Sequence, residues 1–133
     1  MANARGRIST TNYAVAITAG HHQLTADEPP ALGGKDAGPA PFDLLCASLT
    51  ACTAITLRMY AERKSWPLTN VEVGVHFTPP DKDKGRAASI ERTLRFEGEL
   101  DADQRARLAD IAERTPVTLV LKAGIPIATT VKS

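Results

Sequence analysis

The chain has 133 residues and a net charge of +1, so it lacks the basic excess or stripe of a nucleic-acid binder. Hydrophobic residues are 43% and charged residues 23%, the balance of a soluble globular protein. One domain, residues 1–133, suits that length, and folding would bury about two-thirds of the unfolded surface.

Residues 1–6, MANARG, read as an unstructured terminus. From Ile8 to Ala19 the alternation of Tyr13, Val15 and Ile17 with small or polar neighbours predicts a strand. Gly20 with His21 and His22 makes a turn, and His22–Asp27 returns as its hairpin partner. The Pro- and Gly-rich stretch from Pro29 to Pro41 is a loop and not a linker to a second domain. A Gly/Pro-rich loop that opens a helix can cradle an anion on backbone N–H groups. This one matches neither the Walker A pattern nor the dinucleotide fingerprint, so plain loop geometry is the default.

Pro41–Lys64, PFDLLCASLTACTAITLRMYAERK, predicts a long helix that contains both cysteines. Pro41 suits the first helical position, and Trp66-Pro67 ends the run. Apolar side chains lie nearly all the way round from Leu44 to Met59, which predicts burial of most of this helix. Ser48, Thr50, Thr53, Thr56 and Arg58 interrupt it, and no second span exists, so a buried helix is favoured over a membrane span.

Val71–Thr78 alternates as a half-buried strand, and a charged turn around Asp81–Gly85 leads to its partner, Ala88–Leu100. In that partner Ile90, Thr93 or Leu94, and Phe96 point inward, while Arg92 and Arg95 are placed on the exposed face. Asp101 with Gln104 forms a capping box for a helix to about Arg114 that buries Leu108, Ile111 and Ala112. Thr115-Pro116 caps a short helix, 116–123, closed by Gly124. Ile125–Val131 predicts a last strand. The order β-β-α-β-β-α-α-β, rich in hairpins, defines an α+β fold and not a doubly wound sheet.

Chemistry rests on few residues. Cys52 shares a helical face with Leu45, Ser48, Leu49, Thr56 and Met59. Cys46 lies six residues earlier, about 120° round the helix and ~9 Å along it. A disulfide needs Cα atoms within about 7 Å, so the two cannot pair inside an intact helix. A buried Cys is by default a small hydrophobe; a reactive one needs an electropositive, partly open site. His21, His22 and His76 fit no zinc spacing with Cys52, so no metal is expected. Two cysteines without a leader segment indicate a reducing, cytoplasmic compartment.

The run GGKDAGPAPFDLLCASLTACTAITLRMYAERKSWPL resembles the OsmC/Ohr family of osmotically inducible and organic-hydroperoxide-resistance proteins, closest to its OsmC-like branch. The Pro-x-acid-Leu-Leu start, the Ala51-Cys52-Thr53-Ala54 segment and the Met-Tyr-Ala-Glu-Arg-Lys end carry the resemblance. It implies an OsmC-like fold as an intertwined homodimer, with the site built from both chains. It implies a thiol peroxidase without cofactor or metal, in which Cys52 attacks an organic hydroperoxide and becomes a sulfenic acid. The family's second cysteine lies in a Cys-Pro pair, where this chain has Thr115-Pro116. Resolution then falls to an external thiol or dithiol. Phe42, beside Asp43, stands at the family's Glu position, and Lys35 and Arg7 are the candidates for its Arg. The alternative is a non-catalytic OsmC-like dimer that binds a small apolar ligand. No nucleic-acid or membrane partner is expected.

Overall fold

The computed structural model describes residues 1–132. It has mixed helix and sheet, with two small antiparallel sheets and three α-helices. The chain divides into two compact units, Met1–Cys46 and Ala47 onward, with the boundary inside the longest helix.

In the first unit β1 (Ala4–Arg7), β2 (Val15–Ala19) and β3 (His22–Ala26) form one antiparallel sheet in that order. The expected β2–β3 hairpin is present, with Ala19 opposite His22 and Val15 opposite Ala26. The terminus expected to be unstructured instead pairs with β2, Ala4 opposite Ala19 and Arg7 opposite Ala16. All four β1 residues are exposed, so backbone pairing alone holds the strand and no hydrophobic alternation marks it. The strand expected from Ile8 shortens to Val15–Ala19, and the Tyr13 N–H is drawn onto the Asp27 carboxylate.

That carboxylate organises the loop after β3. Asp27 is 2% exposed. Its Oδ1 accepts from the N–H groups of Glu28 (2.7 Å) and Tyr13 (3.2 Å), and its Oδ2 from those of Ala37 (3.1 Å) and Lys35 (3.2 Å). The Gly/Pro-rich loop therefore does gather backbone donors around an anion, and the anion is the chain's own. Gly34 and Gly38 pack so closely on Glu28 and Thr25 that a Cβ would strike their carbonyl oxygens. Burial pushes the Asp27 carboxyl up, but the N–H groups of Ala37, Glu28, Lys35 and Tyr13 outweigh it and hold it below the usual carboxylate range.

The long helix, α1, spans Pro41–Arg63, within one residue of the expected end. Ser65 takes a left-handed φ of 57°, and the Trp66 N–H bonds back to the Ala61 carbonyl, a Schellman-type closure. The expectation that most of α1 is buried is not met. Only Leu49, Thr53, Leu57 and Ala61 are buried, one stripe at i, i+4 spacing, while Ile55 and Met59 are more than half exposed. The apolar residues encircle the helix, whereas this unit's own packing covers one side.

In the second unit β4 (Asn70–Thr78) and β5 (Ser89–Glu97) pair in antiparallel register, Val73 opposite Leu94 and Phe77 opposite Ile90. Helix α2 (Ala102–Ala112) has the expected capping box: the Gln104 N–H donates to Asp101 Oδ1 at 2.8 Å, and the Asp101 N–H to Gln104 Oε1 at 2.9 Å. Leu57, Ala61, Leu68, Leu100, Leu108 and Ala112 form the core, with Val71, Leu94 and Phe96 of the sheet packed against it. Helix α3 (Pro116–Ala123) follows, with Gly124 as its C-cap at φ 80°. The strand expected over Ile125–Val131 does not form, and the segment pairs with neither β4 nor β5. Ile127 and Val131 are about nine-tenths exposed.

The Asp27 clasp makes a prediction. Asn at this position can accept on only one side-chain atom, so Asp27→Asn should lower the melting temperature and speed amide exchange at Tyr13, Lys35 and Ala37. A carboxyl depressed on folding stabilises the fold above its unfolded value, about 3.9, and that contribution is lost as pH falls through the lower folded value. The acid limb of wild-type stability should therefore be steeper than that of the variant. Equal exchange rates in the two proteins would contradict the clasp.

Candidate active site

Cys52 is half-buried in α1, beside the buried stripe. Neither cysteine is in a disulfide. The Cys52 Sγ accepts a hydrogen bond from the backbone N–H of Val117 at 3.5 Å, and Thr56 Oγ1 lies 4.0 Å away. Val117 is the second residue of α3. The first N–H groups of a helix have no carbonyl partner within it and form its positive end. The donor that reaches the Cys52 sulfur therefore belongs to a different helix.

Beneath the thiol lies a buried polar cluster. Thr53, Thr115 and Thr118 are at most 5% exposed. The Thr53 hydroxyl donates to the Leu49 carbonyl at 2.7 Å. The Thr118 hydroxyl donates to the Ala112 carbonyl at 3.3 Å, which makes the Thr115 hydroxyl, 2.6 Å away, the donor in that pair. Thr115, at the N-cap of α3, does not cap the helix through its side chain. It braces Thr118 instead.

The cation in this cluster is Arg92. The sequence reading placed it on the exposed face of β5, but its side chain is 11% exposed. Nη1 donates to Thr53 Oγ1 (3.0 Å) and Thr118 Oγ1 (2.9 Å), and Nη2 to the Ala112 carbonyl (2.8 Å) and Glu113 Oε2 (3.0 Å). The signal for this was present in the alternation. Ile90, Leu94 and Phe96 turn inward, and Arg92 shares their parity. Hydrogen bonds from Lys122 (3.0 Å) and then Arg92 outweigh desolvation and hold the Glu113 carboxyl below its ordinary value.

Other residues singled out in the sequence fall elsewhere. Lys35 and Arg7 belong to the first unit, where Lys35 gives its N–H to Asp27 and Arg7 ends β1. Phe42 and Asp43 lie in the first turn of α1, and Asp43 Oδ2 accepts from the Ala40 N–H at 3.0 Å. The rings of His21 and His22 stack at the β2–β3 turn with centroids 4.1 Å apart, and His76 is exposed in β4. Among the described residues no group of three or more His, Cys, Asp or Glu side chains could hold a metal ion.

A half-buried thiol on a long helix, faced by the amino end of a short one, defines an α+β thiol protein. The family model described as OsmC-like protein matches residues 33–130, and the chain belongs to that family. Solved structures agree in fold. One is an OsmC-like protein from Mycoplasma pneumoniae, with a TM-score of 0.76, 16% identity and coverage of 92% of this chain and 87% of that one. A second is a protein from Psychrobacter arcticus named for osmotic stress induction and detoxification response, at 0.75, 20%, 95% and 90% respectively. A third is the organic hydroperoxide resistance protein OhrB of Bacillus subtilis, at 0.61, 23%, 92% and 90%. A search of curated proteins finds no sequence match.

The contact between sulfur and α3 can be read directly by NMR. Alkylation of Cys52 takes away the acceptor of the Val117 N–H. The Val117 amide resonance should then move more than those of Leu119 and Val120, whose environment is internal to the helix. A Val117 signal that stays in place would rule out the contact.

Proposed function

We propose that this chain is a thiol peroxidase that reduces organic hydroperoxides, with Cys52 as its only nucleophile. The observation that carries this reading is the Val117 N–H directed at a half-buried sulfur, with the Arg92 guanidinium bonded to the next residue, Thr53. Donors of this kind favour negative charge on sulfur, and the thiolate is the nucleophile. Membership of the OsmC-like family and the fold shared with OhrB of Bacillus subtilis support it.

The reaction balances as follows. The Cys52 thiolate attacks the distal oxygen of the hydroperoxide, an S–O bond forms and the O–O bond breaks. The departing alkoxide takes a proton and leaves as the alcohol, while the sulfur, oxidised by two electrons, becomes a sulfenic acid. Resolution needs a second sulfur. Thr115 stands where the family carries that cysteine, and its hydroxyl is engaged with Thr118, so an external thiol performs the step. It attacks the Cys52 sulfur, water leaves, and a further thiol reduces the mixed disulfide. Cys46 is six residues away on the same helix, too far round and along it to take part. Alkyl hydroperoxides are proposed over hydrogen peroxide, because Leu49 and Met59 share the Cys52 face of α1 and buried alkyl surface adds affinity.

The working unit in this proposal is a homodimer in the cytoplasm. Ile55 and Met59 of α1, Leu119 and Val120 of α3, and Ile125, Ile127 and Val131 beyond it are exposed apolar residues. By length and composition α1 could cross a membrane. Arg58, however, turns its guanidinium to the Leu68 carbonyl (2.5 Å), fixing a charge within the helix. A second copy of the chain is the cover proposed for these exposed apolar residues.

Three measurements test these statements. Wild-type protein with an added dithiol should consume an alkyl hydroperoxide, Cys52→Ser should lose essentially all of that activity, and equal rates would sink the peroxidase reading. Oxidised protein should carry a sulfenic acid or a mixed disulfide on Cys52, and an internal Cys46–Cys52 bond would refute the one-cysteine route. Native mass spectrometry should give twice the chain mass, and Ile55→Asp with Met59→Asp should shift it to the single chain. A monomeric wild type would end the dimer proposal.

A further inference from the structure

We infer that Arg92 is the positioning residue for the Cys52 thiolate, acting through Thr53 and Thr118 and not by contact with substrate. The inference deepens the peroxidase reading and rests on it. The two groups that make the sulfur site, the Cys52 side chain and the Val117 N–H, sit on different helices. Each is followed in sequence by a threonine, Thr53 and Thr118, and Arg92 Nη1 donates to both hydroxyls, at 3.0 and 2.9 Å. One nitrogen therefore sets the spacing between α1 and the first turn of α3, and with it the 3.5 Å separation of sulfur and donor. Nη2 completes the clamp on the Ala112 carbonyl and Glu113, the last residue and C-cap of α2. The fork is planar and rigid, and a lysine cannot reproduce it.

The charges point the same way. Arg92 and Lys122 share one carboxylate, Glu113, which is 60% exposed. Lys122, in the last turn of α3, is 59% exposed and screened by solvent, so Arg92, 11% exposed and bonded to Thr118, is the cation held beside the amino end of α3. Among the described residues, the ionisable group that the Val117 N–H meets is the Cys52 thiol. The carboxyl end of α2, where Ala112 accepts from the same guanidinium, is the negative end of that helix and favours the cation there.

The test separates a positioning role from a structural one. Alkylation of Cys52 by iodoacetamide is followed by peptide mass spectrometry at neutral pH and at alkaline pH, where every thiol is ionised. A change in access alters both rates together, whereas loss of thiolate support lowers only the neutral one. Arg92→Lys and Thr118→Val should each lower the neutral-to-alkaline rate ratio by about tenfold, the scale of one charge-assisted hydrogen bond. Thr118→Ser, which keeps the hydroxyl, should restore it. Should the Arg92 variant fail to fold by circular dichroism, the Thr118 pair decides alone. An unchanged ratio in folded Thr118→Val overturns the inference, as does a Thr118→Ser ratio equal to that of Thr118→Val. Hydroperoxide consumption is measured in parallel. A wild type that consumes none, while the ratio responds as stated, defeats the peroxidase reading and leaves the role of Arg92 standing.

Discussion

A guanidinium held out of water is costly unless its donors are met, and in this protein the need to meet them arranges the second unit. The Arg92 fork reaches a hydroxyl on α1, a hydroxyl on α3, a carbonyl at the end of α2 and a carboxylate beside it. Three helices converge because one side chain on β5 demands partners from all of them. No buried side-chain nitrogen or oxygen among the described residues is left without a hydrogen-bond partner. The same convergence sets the amino end of α3 against Cys52.

The first unit follows the same physics with the opposite sign. Asp27 is a buried anion, and backbone N–H groups are its partners. Loop glycines, where side chains would collide with carbonyl oxygens, let the backbone close round it. A loop so rich in Gly and Pro is therefore ordered, and it delivers the chain to Pro41 and the start of α1. Ion pairs outside these clusters carry less weight. The Glu72–Arg95 pair, 3.5 Å apart and mostly exposed, is of a kind worth about 0–1 kcal/mol.

Helix α1 shows how apolar composition and burial can part company. Its residues are apolar on nearly every side, yet within this chain only the line through Leu49, Thr53, Leu57 and Ala61 is covered. Three of these four are ordinary core residues. Thr53 is there for its hydroxyl, which donates to its own helix and accepts from Arg92. A reading by hydropathy alone gives Thr53 no special place.

Much of the fold was legible because it is written in local pattern. The 3.6-residue repeat, Pro41 and Pro67 bound α1, the Asp101–Gln104 pair opens α2, and Pro116 and Gly124 bracket α3. The period of two marks β4 and β5, and the family resemblance rests on contiguous residues. The rest depends on partners remote in sequence. Strand β1 exists because β2 offers an edge, while Ile125–Val131 pairs with neither sheet. Arg92 was misplaced because its charge spoke for the surface while its parity spoke for the core. The donor facing Cys52 is a backbone N–H sixty-five residues away, and a backbone group leaves no mark in the choice of amino acid. The sequence by itself determined the three helices, the β2–β3 and β4–β5 hairpins and the helix on which the thiol sits. Only the tertiary structure decided which donor faces that thiol and which cation holds the two together, because hydrogen bonds between distant segments are set by packing and not by local preference.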